Sequence, residues 1–427
     1  MVQEQLKRFP LGKDIFLNVV ENDRHKTNYI TVNFVTPLNP RCASFNTLLS
    51  RVLARGCEKY PTQKELNRAL DTCFDAALTS DTAKIGEWHS LSLSLSLLDN
   101  AYAFDGEDIG KIGLALLEEV LFHPYLPEGV FSRDYVKSEK KLALLEIASM
   151  VNHKARYAKG RLIDHMCRLE PYSTCAIGRK RELNQITPEA LYAYYKELLK
   201  TARVEIFLVG RFDLAEAQEK MTAMFAAVER EPVALPELSI RTKARSVKEV
   251  TEVMDISQAN LLLGFRTATA IFDADWRAMS VYNAVLGGSL TSKLFCVLRE
   301  KMSLCYSVSS SPDALKGILI IYAGIAAENR DVAVKEVLNQ MDEIKKGNVT
   351  AEEMENARGA LIHSLTGLPD NPAALADWYL PRVLAGKTET PSQIVSELQA
   401  VTVEDVIRVS QKLSLDTVYT LTGKEEA

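Results

Sequence analysis

The chain has 427 residues, with 51 Lys and Arg against 56 Asp and Glu, and a formal net charge of −5. That length exceeds one ordinary hydrophobic core, so two or more domains are expected. A net acidic chain, 47% hydrophobic and 25% charged, is ordinary for a globular protein and lacks the basic face of a nucleic-acid binder.

The N-terminus, MVQEQLKRFPLGKD, has neither the apolar core nor the cleavage site of a secretory signal. The longest apolar run, ILIIYAGIAA at 318–327, is too short to span a bilayer. Seven scattered cysteines without a Cys-x-x-Cys pair point to reduced thiols and a cytoplasmic location. His165, Cys167 and Cys175 lie close in sequence, but their spacing fits no usual zinc pattern.

In chain order, ITVNFVT (30–36) reads as a strand and ASFNTLLSRVLARGCEKYP (43–61) as a helix. Phe45, Leu48, Leu49, Val52 and Leu53 recur at helical spacing and form its buried stripe. The other face carries Thr47, Ser50 and Arg51, and Gly56 is placed to end the helix. SLSLSLSLL (90–98) alternates strictly, which predicts a strand in a sheet covered on one side. Long helices follow at 132–152 and 329–366. EREPVALPELSIRTKARSVKE (229–249) is rich in proline and charge and has no periodicity, so it reads as a linker.

The chain repeats itself. ITPEALYAYYKELLKTARVEIFLVG (186–210) matches VTVEDVIRVSQKLSLDTVYTLTG (401–423). Each has a threonine helix cap, Thr187 or Thr402, then a helix, then a strand ending in glycine. Gly210 and Gly423 are 213 residues apart, half the chain. ITVNFVT has its counterpart in NLLLGFRT (260–267). The expected architecture is α+β: two homologous domains, 1–228 and 250–427, joined by the linker 229–249. Each would be an antiparallel sheet with helices packed on one face.

The duplicated halves, the Gly-x-x-Lys-Tyr-Pro after the 43–61 helix, HPYLPEGVF (123–131) and LGGSLTSKLFCVLREKMSLCYSV (286–308) resemble the insulinase/pitrilysin-like (M16) metallopeptidase family. The likeness runs along nearly the whole chain. In that family the helix carries His-x-x-Glu-His, whose i, i+3 and i+4 positions share one face. Two imidazoles there hold zinc and the glutamate activates its water.

Counting back from Gly56 places that motif on Thr47, Ser50 and Arg51. None is a suitable ligand, and a guanidinium cannot give up its proton to become one. The nearest histidines are His25 and His89, and no two of the six are four apart. The family's distal glutamate ligand falls at Glu146, or else at Glu139. The expectation is a degenerate zinc motif and no cofactor in this chain.

The resemblance also implies a second element. The family sets an arginine and a tyrosine, seven residues apart, opposite the zinc site; here they are Arg299 and Tyr306. Both are donors suited to the negative charge that peptide hydrolysis places on a carbonyl oxygen. A chain without ligands that keeps these donors resembles the zinc-less subunit of two-chain bacterial members. That implies a zinc-bearing M16 homologue as heterodimer partner, a peptide or small protein as substrate, and a possible homodimer when alone. The alternatives are an inactive scaffold, or a peptide-binding homologue that captures an extended segment along an edge strand at 75–82.

Overall fold

The computed structural model describes residues 5–104 and 106–424. The chain forms two compact units, each built on one sheet. They interleave along the chain. The first takes the chain up to Ala148, then Thr174–Glu237 and Leu368–Thr390; the second takes Ser149–Ser173, Leu238–Gly367 and the chain from Pro391.

The strands of the first sheet are β1 (Leu6–Gly12), β2 (Ile15–Glu21), β3 (Thr27–Pro37), β4 (Ala77–Ile85), β5 (Trp88–Leu98) and β6 (Arg203–Gly210), in the order β1-β2-β6-β3-β5-β4. Those of the second are β7 (Lys248–Val253), β8 (Ala259–Arg266), β9 (Cys305–Asp313), β10 (Ile318–Ile325) and β11 (Ser414–Thr422), in the order β7-β11-β8-β10-β9. The helices that cover the sheets begin with α1 (Pro40–Leu53), α2 (Gln63–Thr72), α3 (Ile109–Phe122), α4 (Arg133–Ser149), α5 (Lys154–Met166), α6 (Lys180–Gln185) and α7 (Pro188–Thr201). They continue with α8 (Leu214–Ala226), α9 (Trp276–Leu286), α10 (Arg330–Lys345), α11 (Ala351–Thr366), α12 (Pro372–Leu384), α13 (Pro391–Ala400) and α14 (Val403–Ser410).

The period-2 pattern places each strand. In the first unit Ile30, Val32 and Phe34 of β3 and Val204, Ile206 and Leu208 of β6 share one core with Leu48 and Leu49 of α1. The leucines of SLSLSLSLL enter that core from β5, while Ser94 on the opposite face donates to Thr31 Oγ1 at 2.9 Å. That opposite face is polar yet closed at its centre. Glu205 is fully buried and is held by Arg8 at 2.6 Å and Asn18 at 2.8 Å, and α12 packs over β3 and β6.

The second unit repeats the plan. The threonine caps hold in both copies: Thr187 accepts from the Ala190 N–H at 3.2 Å and Thr402 from the Asp405 N–H at 3.3 Å. Each capped helix leads into the strand next to the sheet's centre, β6 or β11. The fold is thus α+β with two homologous domains. Pairing is antiparallel apart from one parallel pair in each sheet, β2 with β6 and β7 with β11. A helix also lies on the second sheet's other face: Leu162 and Met166 of α5 pack on Leu262 and Tyr419. Gly264 permits that approach, because a Cβ there would stand 2.8 Å from Met166 Sδ. Between α8 and β7, residues 227–247 form neither helix nor strand.

Candidate functional site

In the first unit the zinc-motif positions lie on α1. Asn39 caps the helix, accepting from the Cys42 N–H at 2.9 Å, and Pro40 opens it. The helix ends at Leu53, earlier than the sequence suggests. Gly56 serves a different purpose, since a Cβ there would meet the Pro61 carbonyl oxygen at 2.5 Å.

Thr47 and Ser50 are on the face opposite the core stripe but are not solvated, at 3% and 4% exposure. Thr47 Oγ1 lies 3.4 Å from Thr82 Oγ1 of β4, and the Ser50 hydroxyl donates to the Thr47 carbonyl at 3.1 Å. Arg51 projects toward α4, where its guanidinium pairs with Glu146. Just past the end of α1, Arg55 pairs with Glu139 at 3.1 Å and stacks on Tyr135 with its guanidinium 4.9 Å from the ring centre. Both candidate distal carboxylates are therefore answered by arginines, one in the last turn of α1 and one just beyond it.

The residues present do not fit a catalytic zinc. Neither hydroxyl is a customary zinc ligand, and Arg51 offers five donors and no lone pair. Its positive charge stands against the very carboxylate that would complete a metal site. His89, the one histidine hydrogen-bonded to α1, is fully buried and spent at both nitrogens. Nε2 is 2.8 Å from the Ala176 carbonyl, which accepts only, so Nε2 carries the proton; Nδ1 then accepts from Asn46 Nδ2 at 3.0 Å. Burial pushes the imidazole pKa down to about 4, against a bond to Ala176 that works the other way.

In the second unit Arg299 lies in a seven-residue π-helix, Phe295–Lys301, anchored by the fully buried Leu298. The wider winding, followed by Ser303 at φ 52°, turns the chain into β9. The sequence pattern predicts this helix–turn–strand passage, though not the π geometry. The Arg299 guanidinium sits 4.8 Å from the centre of the Phe295 ring and 5.9 Å from that of Tyr306. Tyr306 is 78% exposed, on the edge strand of its sheet. Among the described residues, neither Arg299 nor the Tyr306 hydroxyl has an ion-pair or hydrogen-bond partner. The glycines before this element are structural: a Cβ on Gly287 would reach 2.8 Å from Ser310 Oγ, and the Gly287 carbonyl accepts from the Ser310 N–H at 2.9 Å.

The structure thus brings Arg51 and Glu146 together, and Arg299 and Tyr306 together. Sequence reasoning missed the Arg55–Glu139 pair and the closure of His89. The alternation of SLSLSLSLL, with His89 beside it, was the available signal for the second.

Comparison with known proteins bears on these two clusters. Residues 185–361 match the peptidase M16 inactive domain. The chain is 29% identical over 411 residues to the "probable inactive metalloprotease YmfF" of Bacillus subtilis, covering 96% of each chain. It resembles the crystal structure of a conserved protein from Enterococcus faecalis, with a TM-score of 0.90 at 26% identity over 99% of this chain and 100% of that one. The fold is also that of a peptidase M16 inactive domain from Pseudomonas fluorescens, with a TM-score of 0.78 at 20% identity and 98% of each chain covered. Residues 185–361 are thus similar to the peptidase M16 inactive domain, and over almost its whole length the chain resembles a relative described as inactive.

Proposed function

We propose that this chain is the non-zinc subunit of a two-chain M16-type peptidase and contributes Arg299 and Tyr306 to a site whose metal is held by the partner. The observation that carries this reading is the state of that pair. Two strong donors lie side by side, exposed, with their polar groups unused among the described residues. A surface arginine with no function needs no ring beneath it. Ring stacking on Phe295 restricts the guanidinium and leaves its edge free to donate.

The chemistry follows from the donors. Arg299 and Tyr306 hydrogen-bond a substrate carbonyl oxygen and favour it most when it becomes an oxyanion. On this reading α1 of this chain plays no part in hydrolysis, because Arg51 occupies the cation's place beside Glu146. The partner is a zinc-bearing M16 homologue, and the substrate is a peptide or small protein. The seven cysteines, all free, support a cytoplasmic setting for the pair.

A second reading, capture of an extended peptide without hydrolysis, is favoured by one feature. β4, which contains most of the 75–82 segment, is the outermost strand of its sheet, with unpaired backbone groups on one side.

The test is co-expression with a His-x-x-Glu-His homologue, sizing of the product, and peptide hydrolysis by the purified pair. The two chains are expected to co-elute at micromolar concentration, whereas this chain alone self-associates only weakly. Tyr306→Phe should lower kcat by about 10²–10³. Arg299→Ala should also raise KM, since it holds the ground-state carbonyl too. Full activity from both variants would overturn the role of Arg299 and Tyr306 and leave the scaffold reading standing.

A further inference from the structure

The second unit contains a cavity of 470 Å³ whose walls are unusually basic for an acidic chain. Arg168, Arg241, Lys243, Arg245, Lys248 and Arg266 line it, and Asp416 is the one acid among the lining residues. Four of these cations come from the eight residues RTKARSVK at 241–248, which contain no acid.

This strap is held at both ends. Lys316 Nζ donates to the Ser239 carbonyl at 2.8 Å, and Lys248 enters the ladder opposite Thr417. Beside its first residues, Gly317 takes φ +63° and a Cβ there would press on Ile240 at 2.8 Å. The floor is rigid as well. Arg266 is buried, and its guanidinium is fixed by Asp416 at 2.9 Å, Glu170 at 2.9 Å and the Met166 carbonyl at 2.7 Å.

The nearby acids are already committed. Glu170 answers Arg266, Lys316 at 2.5 Å and Arg241 at 3.5 Å. Glu249 pairs with Arg330, and Asp164 with Arg161. Among the described residues, Arg168, Lys243 and Arg245 have no carboxylate within ion-pair distance. The cavity therefore has a surplus of positive charge on a preorganised frame, and its size suits a small molecule.

We propose that this cavity binds a multiply charged phosphate-bearing small ligand. The two uncommitted arginine forks, Arg168 and Arg245, together with Lys243, suit the paired oxygens of phosphate better than a single carboxylate. The lining has no aromatic residue and few apolar ones, so the phosphates are read rather than an attached ring or acyl chain. The site lies on neither the α1 cluster nor the Arg299–Tyr306 pair, and its existence does not depend on the peptidase reading.

Inorganic tripolyphosphate is the probe. Calorimetric titration of the full chain at low salt should show one site per chain that weakens as salt rises, because the contacts are ionic. The double variant Lys243→Glu, Arg245→Glu should weaken binding by at least about tenfold, since charge-assisted hydrogen bonds are among the strongest. Both side chains are exposed, so the fold should be retained, as an unchanged unfolding temperature without probe would confirm. Arg168→Gln gives a milder loss that does not reverse charge. No titratable site at millimolar probe, equal binding by the double variant, or tighter binding of a hexaglutamate peptide would each overturn the assignment.

Discussion

Rebuilding the zinc motif tests whether α1 and α4 still hold the geometry of a metal site with a guanidinium in its place. The perturbation is Thr47→His, Ser50→Glu and Arg51→His together. Losing the Arg51–Glu146 pair is inexpensive, because the two side chains are 28% and 41% exposed and such pairs contribute about 0–1 kcal/mol. Enlarging the buried Thr47 and Ser50 costs more. Overpacking a closed site costs roughly 1–3 kcal/mol, and Thr82 stands directly against Thr47. The variant without metal should therefore be less stable by a few kcal/mol.

Zinc should then return part of that loss. At one hundred times its dissociation constant a ligand of the folded state stabilises by about 2.7 kcal/mol. In a domain of this size that raises the unfolding temperature by roughly 5–10 °C. The assay is elemental analysis after dialysis, with thermal unfolding with and without zinc. The wild-type chain should show no stoichiometric zinc and no shift. One zinc per wild-type chain, lost on mutation of α1, would refute the argument that Arg51 excludes the metal. A folded triple variant that binds none would refute the expectation that Glu146 stands where a third protein ligand belongs.

Three further outcomes are expected. The two arginine pairs to α4 should differ in weight: Arg55→Ala should cost about 2 kcal/mol or more because Glu139 is 6% exposed, whereas Arg51→Ala should cost at most about 1 kcal/mol; chemical denaturation of the two variants compares them, and equal losses would show that burial is not what separates them. Glu170→Gln should destabilise the second unit by about 3–5 kcal/mol, since it removes the carboxylate that answers the buried Arg266 and Lys316; a loss below about 1 kcal/mol would show that those cations are compensated elsewhere. His89 makes stability pH-dependent: its folded pKa of about 4 lies below the usual 6.5, so the unfolded chain takes up the proton first, and about 3 kcal/mol present above pH 6.5 should be lost as pH falls toward 4. Denaturation at a series of pH values should show that slope in the wild type and not in His89→Gln, and a persisting slope would assign it to other groups.

Much of the fold is legible because its signals are local. The Thr187 and Thr402 caps, the alternation of β5 and the repeat of helix–strand pairs each rest on neighbours in sequence. The pairing across 95 residues that joins Arg51 to Glu146 does not, and sequence alone leaves Glu146 as an acid on a helix surface. The same holds for the interleaving of units. Nothing local in Lys154–Met166 or Pro372–Leu384 says that the first helix packs on β8 and β11 and the second on β3 and β6. The basic cavity is hidden for a related reason. Net charge sums over the whole chain, whereas the strap at 241–248 concentrates four cations where the nearby acids are already paired.

The Arg51–Glu146 pair puts a cation of the chain's own where the resemblance expects a metal beside Glu146. Glu146, on α4, is the carboxylate that the resemblance offers as distal ligand, and a bound metal would be its counter-charge. A guanidinium at position 51 supplies that charge from the chain itself, independent of metal supply or chelation. It also makes a metal site hard to restore by a single change. Restoring one histidine at position 51 removes the cation but provides one ligand where two and a general base are needed. Position 51 thus carries an ion pair to α4 where the resemblance expects a metal ligand. Selection on the remaining surface is then free to act on Arg299 and Tyr306, whose geometry owes nothing to α1. If those two residues serve catalysis, they do so for a metal held by the partner, and chelation should abolish peptidase activity of the reconstituted pair while leaving the unfolding temperature of this chain unchanged.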